Sequence, residues 1–179
     1  MPEPRPLGQT PSQTIGPFFG YALPYEGGPQ VAAPWQPNTI RLHGTVFDGA
    51  GDPVPDAIVE IWHADADGTV ITAQGSLDRD GYTVTGFGRA AVDRAGHYTF
   101  STIKPGPMRA DAAPYILVTI FARGLTHHLF TRAYLPGAAP AQWPSLAARA
   151  DDRGFVFDIR LQGEDETVFL TYAQDALPI

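Results

Sequence analysis

Cysteine is absent from all 179 residues, so the chain has no disulfide, no thiolate metal site and no cysteine nucleophile. Lys104 is the single lysine among 12 basic residues, which face 19 acidic ones for a net charge of −7. Such a balance cannot supply the clustered cations that nucleic-acid phosphates and anionic membranes attract. Long apolar runs are missing too. The longest, Ala112 to Ala122, has 11 residues, against the roughly 18 needed to cross a bilayer. Prolines at positions 2, 4 and 6 stand where a signal peptide would carry its apolar stretch. A soluble, cytoplasmic protein is therefore expected, with no nucleic-acid or membrane partner. Helical periodicity is nearly absent as well, Ser145 to Ala150 being the one short candidate.

Turn-forming residues are abundant. The 19 glycines and 18 prolines exceed their usual share but stop short of a disordered composition. Residues 1–38 carry nine of the prolines and few charges, yet they also hold Phe18, Phe19, Tyr21, Tyr25 and Trp35. A disordered tail is poor in aromatics. An extended N-terminal arm is expected over 1–38, lying on an apolar surface of its own domain or of a partner, with the folded domain over 39–179.

From Thr39 onward short alternating stretches are separated by turn signals, about eight strands in all. They are Ile40–Phe47, Ile58–Trp62, Phe87–Val92, His97–Ile103, Ala113–Ala122, Leu129–Leu135, Phe155–Leu161 and Thr167–Tyr172. The fifth is apolar at odd and even positions alike, which predicts a central strand covered on both faces. Three tetrads, beginning at Asp78, Asp93 and Asp151 and ending at Gly81, Gly96 and Gly154, have the chemistry of tight turns. The fold class that follows is all-β, an antiparallel β-sandwich.

Candidate chemistry is sparse. His127 and His128 are neighbours, and neighbours on a strand face opposite ways. His63, Asp65 and Asp67 have the i, i+2, i+4 spacing of three ligands on one side of a strand. The same residues also read as a strand ending in an Asp-rich turn, and the remaining calcium-loop positions are missing. No nucleophile elbow or phosphate-binding glycine loop occurs. No catalytic set is complete in this chain alone. Two places invite a functional reading: Thr10 to Phe19, which mixes hydroxyl, small and aromatic residues, and Arg123 at the end of the most apolar strand. A guanidinium there must find an anion, which is either a ligand or an acidic neighbour in a structural salt bridge.

Six motifs in order carry a resemblance that spans residues 9 to 172. They are Thr10-Pro-Ser-Gln-Thr-Ile-Gly-Pro17, Val59-Glu-Ile-Trp62 with the turn to Gly68, Phe87-Gly-Arg89, Thr102-Ile-Lys-Pro-Gly-Pro107, Phe121-Ala-Arg-Gly124 and Phe157 to Gly163. Together they resemble protocatechuate 3,4-dioxygenase, an intradiol non-haem Fe(III) enzyme built from homologous alpha and beta subunits. In the beta subunit two tyrosinates and two histidines hold the iron. The corresponding positions here are Val70, Met108 and the stretch Ala113 to Val118, with Ile116 and Val118 taken for the histidine positions. Aliphatic and thioether groups do not suit a hard ferric ion, so no metal ligand is expected in this chain.

The resemblance therefore implies an alpha subunit, a heteromeric partner whose iron sits in the beta subunit. Its arm would line the neighbouring active site through Thr14, Gly16, Pro17 and Phe18, the last standing where relatives have tyrosine. Arg123 would meet the substrate carboxylate. The implied reaction is O2-dependent intradiol cleavage of protocatechuate, a small aromatic substrate, to β-carboxy-cis,cis-muconate. One alternative is a non-catalytic transthyretin-like binding module, which Gly44 to Glu60 also resembles.

Overall fold

The computed structural model describes residues 11, 13–16, 18–72 and 79–171. Nine strands follow one another in it: β1 (Thr39–Phe47), β2 (Ile58–Trp62), β3 (Phe87–Ala91), β4 (His97–Ile103), β5 (Ile116–Phe121), β6 (Leu129–Ala133), β7 (Arg149–Asp151), β8 (Gly154–Val156) and β9 (Ile159–Arg160). A four-residue helix, α1 (Phe19–Ala22), precedes them. Strand order is β4-β1-β8-β7 in one sheet, with β9 also on β1, and β3-β2-β5-β6 in the other. The fold is a β-sandwich, as the alternation and turns predict.

Its core is made by the inward positions of both sheets. Leu42, Val46, Tyr98 and Phe100 from one sheet meet Val59, Ile61, Ile116, Val118 and Ile120 from the other. Val31 joins them from the expected arm, and the backbone there pairs with β4 through Val31 N–H to the Ser101 carbonyl at 2.8 Å. Residues 29–33 are thus part of the sandwich edge. The turns form as their chemistry dictates. Asp93 Oδ1 accepts N–H groups of Ala95 and His97 at 2.8 and 3.0 Å, and Gly96 takes φ +71°. Asp78, the first residue of another tetrad, lies outside the described residues.

Several details differ from the sequence expectation. The sandwich is not purely antiparallel: β8 and β9 both run parallel to β1. The single strand expected over 155–161 is broken at Phe157, whose carbonyl lies over Gly44 of β1. A Cβ at Gly44 would sit 2.0 Å from that oxygen, so only glycine admits the crossing. Tyr98 donates its hydroxyl proton to the same carbonyl. Residues 145–150 are not a helix. Pro144–Leu146 make one 3-10 turn, and the backbone then extends, Ala148 N–H bonding the Tyr134 carbonyl at 2.8 Å. The segment from Thr167 to Thr171 forms no ladder and is tied by single bonds, such as Leu170 N–H to the Phe130 carbonyl at 2.8 Å; Tyr172 lies outside the described residues. Strand β5 is central, but only Ile116, Val118 and Ile120 are buried, while Leu117, Thr119 and Phe121 are half-covered.

Candidate functional site

The β5–β6 turn brings part of the expected site together. Thr14 Oγ1 accepts the N–H of Gly124 at 2.9 Å, so the arm crosses directly beside Arg123. Arg123 forms an ion pair through Nε with Asp56, from the loop between β1 and β2, and its side chain remains 59% exposed. An exposed pair of this kind contributes little to stability. Arg123, Asp56, Val54, Leu125 and Leu161 border a cavity of about 420 Å³. On the other side of the turn Gln13, Ile15, Phe121 and His128 enclose a smaller one of about 140 Å³. The His128 ring is held there between Phe121 and Phe130, with centroids at 5.5 and 4.6 Å.

Other expected residues lie further along the arm. The Gly16 carbonyl accepts the N–H of Phe19 at 3.3 Å, starting the turn into α1. Phe19 is buried, whereas Phe18 and Tyr21 are 75% and 87% exposed. No hydrogen bond or cation–π contact among the described residues joins Phe18 to Arg123. Pro17 lies outside the described residues.

His63 and the two aspartates do not converge. His63 is fully buried and turned between the sheets. Its Nδ1 lies 2.7 Å from the Ala64 carbonyl, which can only accept, so Nδ1 carries the proton. Its Nε2 then accepts from Thr102 Oγ1 at 2.5 Å. Burial depresses the histidine pKa below its ordinary value, against a smaller opposing effect of the Ala64 bond. It is a neutral core histidine. Asp65 Oδ1 accepts the N–H groups of Asp67 and Thr69 at 2.9 and 2.8 Å. The turn reading of this motif is the one the structure contains.

The positions compared with an iron site can be tested by their chemistry. Val70 is half exposed and Met108 borders a cavity, and neither offers an anionic or imidazole donor. Ile116 and Val118 point into the sandwich core. The alternation of β5 leaves Leu117 on the opposite, half-covered face, and Tyr115, just before the strand, borders a cavity. The region also encloses open space. Met108, Tyr115, Arg132, Tyr134 and Trp143 surround a cavity of about 530 Å³. Two guanidinium groups, from Arg109 and Arg132, border it and oppose a ferric ion. Among the described residues no three His, Cys, Asp or Glu side chains are placed to hold a metal. The residues present do not fit iron.

Sequence reasoning missed this cavity and the Asp56 partner of Arg123. The signal for the cavity was Tyr115 directly after Pro114, near Met108 in the preceding loop. Also missed was the pair of buried His43 and Asp151 at 3.2 Å across β1 and β7, a long-range contact with no local mark. No helix of the described residues is long and apolar enough to cross a membrane.

Comparison with known proteins agrees with the motif pattern. The profile of a family described as Dioxygenase matches residues 35–138, which include the Gly44–Glu60 segment with its transthyretin-like likeness. The protocatechuate 3,4-dioxygenase alpha chain of Burkholderia cepacia is 36% identical across 91% of this chain and 97% of its own length. That of Pseudomonas putida is also 36% identical, across 93% and 98%. The beta chain of the Burkholderia cepacia enzyme is 30% identical over 72% of this chain and 66% of its own. Among solved structures, the dioxygenase domain of a dioxygenase carbohydrate-binding protein fusion from Streptomyces sp. SirexAA-E superposes with a TM-score of 0.59 at 25% identity. It covers 87% of this chain and 99% of that one. Catechol 1,2-dioxygenase from Acinetobacter sp. ADP1 shares the fold at a TM-score of 0.52 and 22% identity, over 73% and 55% of the two chains. With protocatechuate 3,4-dioxygenase alpha chains matching it over nearly its whole length, the chain belongs to the intradiol ring-cleavage dioxygenase family.

Proposed function

We propose that this chain is the alpha subunit of a protocatechuate 3,4-dioxygenase and that it shapes a substrate pocket whose Fe(III) is held by a beta subunit. One observation carries the reading. The positions that would supply iron ligands hold Val70, Met108, Ile116 and Val118, none of them suited to ferric ion, while Thr14 is bonded to Gly124, next to the exposed Arg123. The work of this chain is then binding and positioning. Arg123 offers a planar fork to the carboxylate of a dihydroxybenzoate, and its five donors can serve a ligand beside Asp56. Fixing the carboxylate orients the ring, and orientation lowers the barrier of the step that follows. Phe18, Gly16 and Pro17 would wall the entrance against water, with Phe18 giving an aromatic face but no hydroxyl.

The product would be β-carboxy-cis,cis-muconate, formed in a cytoplasmic assembly of both subunits. The test is co-expression with a beta chain that carries two tyrosine and two histidine ligands. Turnover of protocatechuate by the complex, absent from either chain alone, is the expected result. A beta chain with full activity and unchanged KM without this chain would refute the proposal.

A further inference from the structure

The cavity behind Met108 lies apart from the Arg123 turn and has its own chemistry. Its walls are aromatic and soft: Tyr115, Tyr134 and Trp143 with the Met108 thioether. The Tyr115 and Tyr134 rings pack on each other, tilted by 56° with centroids 6.1 Å apart, and so form one aromatic wall against which a flat ring can stack offset or edge-on. Its charge is of one sign. Arg109 and Arg132 both border it, and no Asp or Glu does among the described residues.

The two arginines are held differently. The Arg132 guanidinium carbon stands 4.2 Å from the centre of the Tyr115 ring, so its plane is anchored by an aromatic face. Arg109 is largely exposed and its 3.6 Å pair with Asp111 is equally exposed, so a ligand anion competes with that pair at small cost. A guanidinium has five donors and serves more than one acceptor. At about 530 Å³ the cavity falls within the range of small-ligand sites. Aromatic walls select a ring, the arginines select an anion in its plane, and the same cations reject a metal ion.

We propose that this cavity is a second small-molecule site of the chain, one that takes a monocyclic aromatic carboxylate without a metal. It needs neither a partner subunit nor turnover, and it stands or falls independently of the function proposed above.

The experiment titrates the full chain with 4-fluorobenzoate, followed by ligand fluorine NMR and by the tryptophan emission to which Trp143 contributes. A saturable response at one site is expected. Arg132→Gln, and replacement of the ligand by neutral 4-fluorobenzamide, should each weaken binding by roughly 10-fold or more, the scale of a lost charge-assisted bond. Met108→Trp, which fills the cavity, should abolish it, and Arg123→Ala should leave it unchanged. If Arg132→Gln fails to fold, Arg109→Gln on the exposed rim carries the charge test. The proposal is overturned by no saturable response up to about 10 mM, by binding indifferent to Met108→Trp or to the charge changes, or by loss of binding in Arg123→Ala.

Discussion

Acidification should weaken the fold through His63, and the size of the effect can be worked from its surroundings. The ring is fully buried, its Nδ1–H is bonded to the Ala64 carbonyl and its Nε2 accepts from Thr102. Protonating Nε2 would replace an acceptor by a second donor opposite that hydroxyl and bury a charge. The folded-state pKa is accordingly depressed, while the unfolded chain titrates near the ordinary value of about 6.5. Below that pH the unfolded state binds more protons than the folded state, so stability is complete above about 6.5 and falls as pH drops. One such proton is worth at most about 1.4 kcal/mol per pH unit, or about 2 kcal/mol between pH 6.5 and 5. Urea unfolding at a series of pH values measures this. The informative quantity is the difference between the wild type and His63→Gln, because carboxylates and other histidines contribute to both. The variant should be less stable at pH 8 and should lose its stability less steeply on acidification. Equal slopes between pH 6.5 and 5 would refute the assignment of His63 as a buried neutral ring.

Three further perturbations have defined outcomes. Tyr98→Phe removes the donor from the buried Phe157 carbonyl and should cost about 1–3 kcal/mol, read as a lower midpoint in urea unfolding with an unchanged slope. Asp65→Ala removes the acceptor for two turn N–H groups; it should lower thermal stability, and calorimetry with divalent ions should show the same absence of binding in variant and wild type. In the complex with a beta chain, Arg123→Ala should raise KM for protocatechuate and lower kcat/KM by an amount equivalent to roughly 1.5–3 kcal/mol, while unchanged kinetics would make the pair with Asp56 purely structural.

Much of the fold is legible from local chemistry. Strands β1 to β6 are bounded by Asp and Gly turns and alternate clearly, so composition and period suffice. The carboxy-terminal strands are not legible this way. Residues 155–161 look like one strand because Phe155, Phe157, Ile159 and Leu161 alternate, but the break at Phe157 comes where its carbonyl crosses Gly44, more than a hundred positions earlier in the chain. Parallel pairing with β1 is likewise a long-range choice with no local mark. Around the candidate site, the motif order led to the Thr14 and Arg123 turn, and residue chemistry alone left two readings for Arg123. The pair with Asp56 fulfils the structural one while leaving the guanidinium exposed. The Met108 cavity was hidden because the stretch around β5 is apolar at odd and even positions alike, and Ile116 cannot be told from Tyr115 as a wall residue without knowing which face meets the core.

Iron content tests the central claim most directly. Purified after expression by itself, the chain should contain only trace iron by elemental analysis and show no visible absorption from tyrosinate bound to ferric ion, before or after incubation with iron salts. One ferric ion per chain with that absorption band would contradict the account, because it would mean that side chains of this subunit converge on the metal themselves.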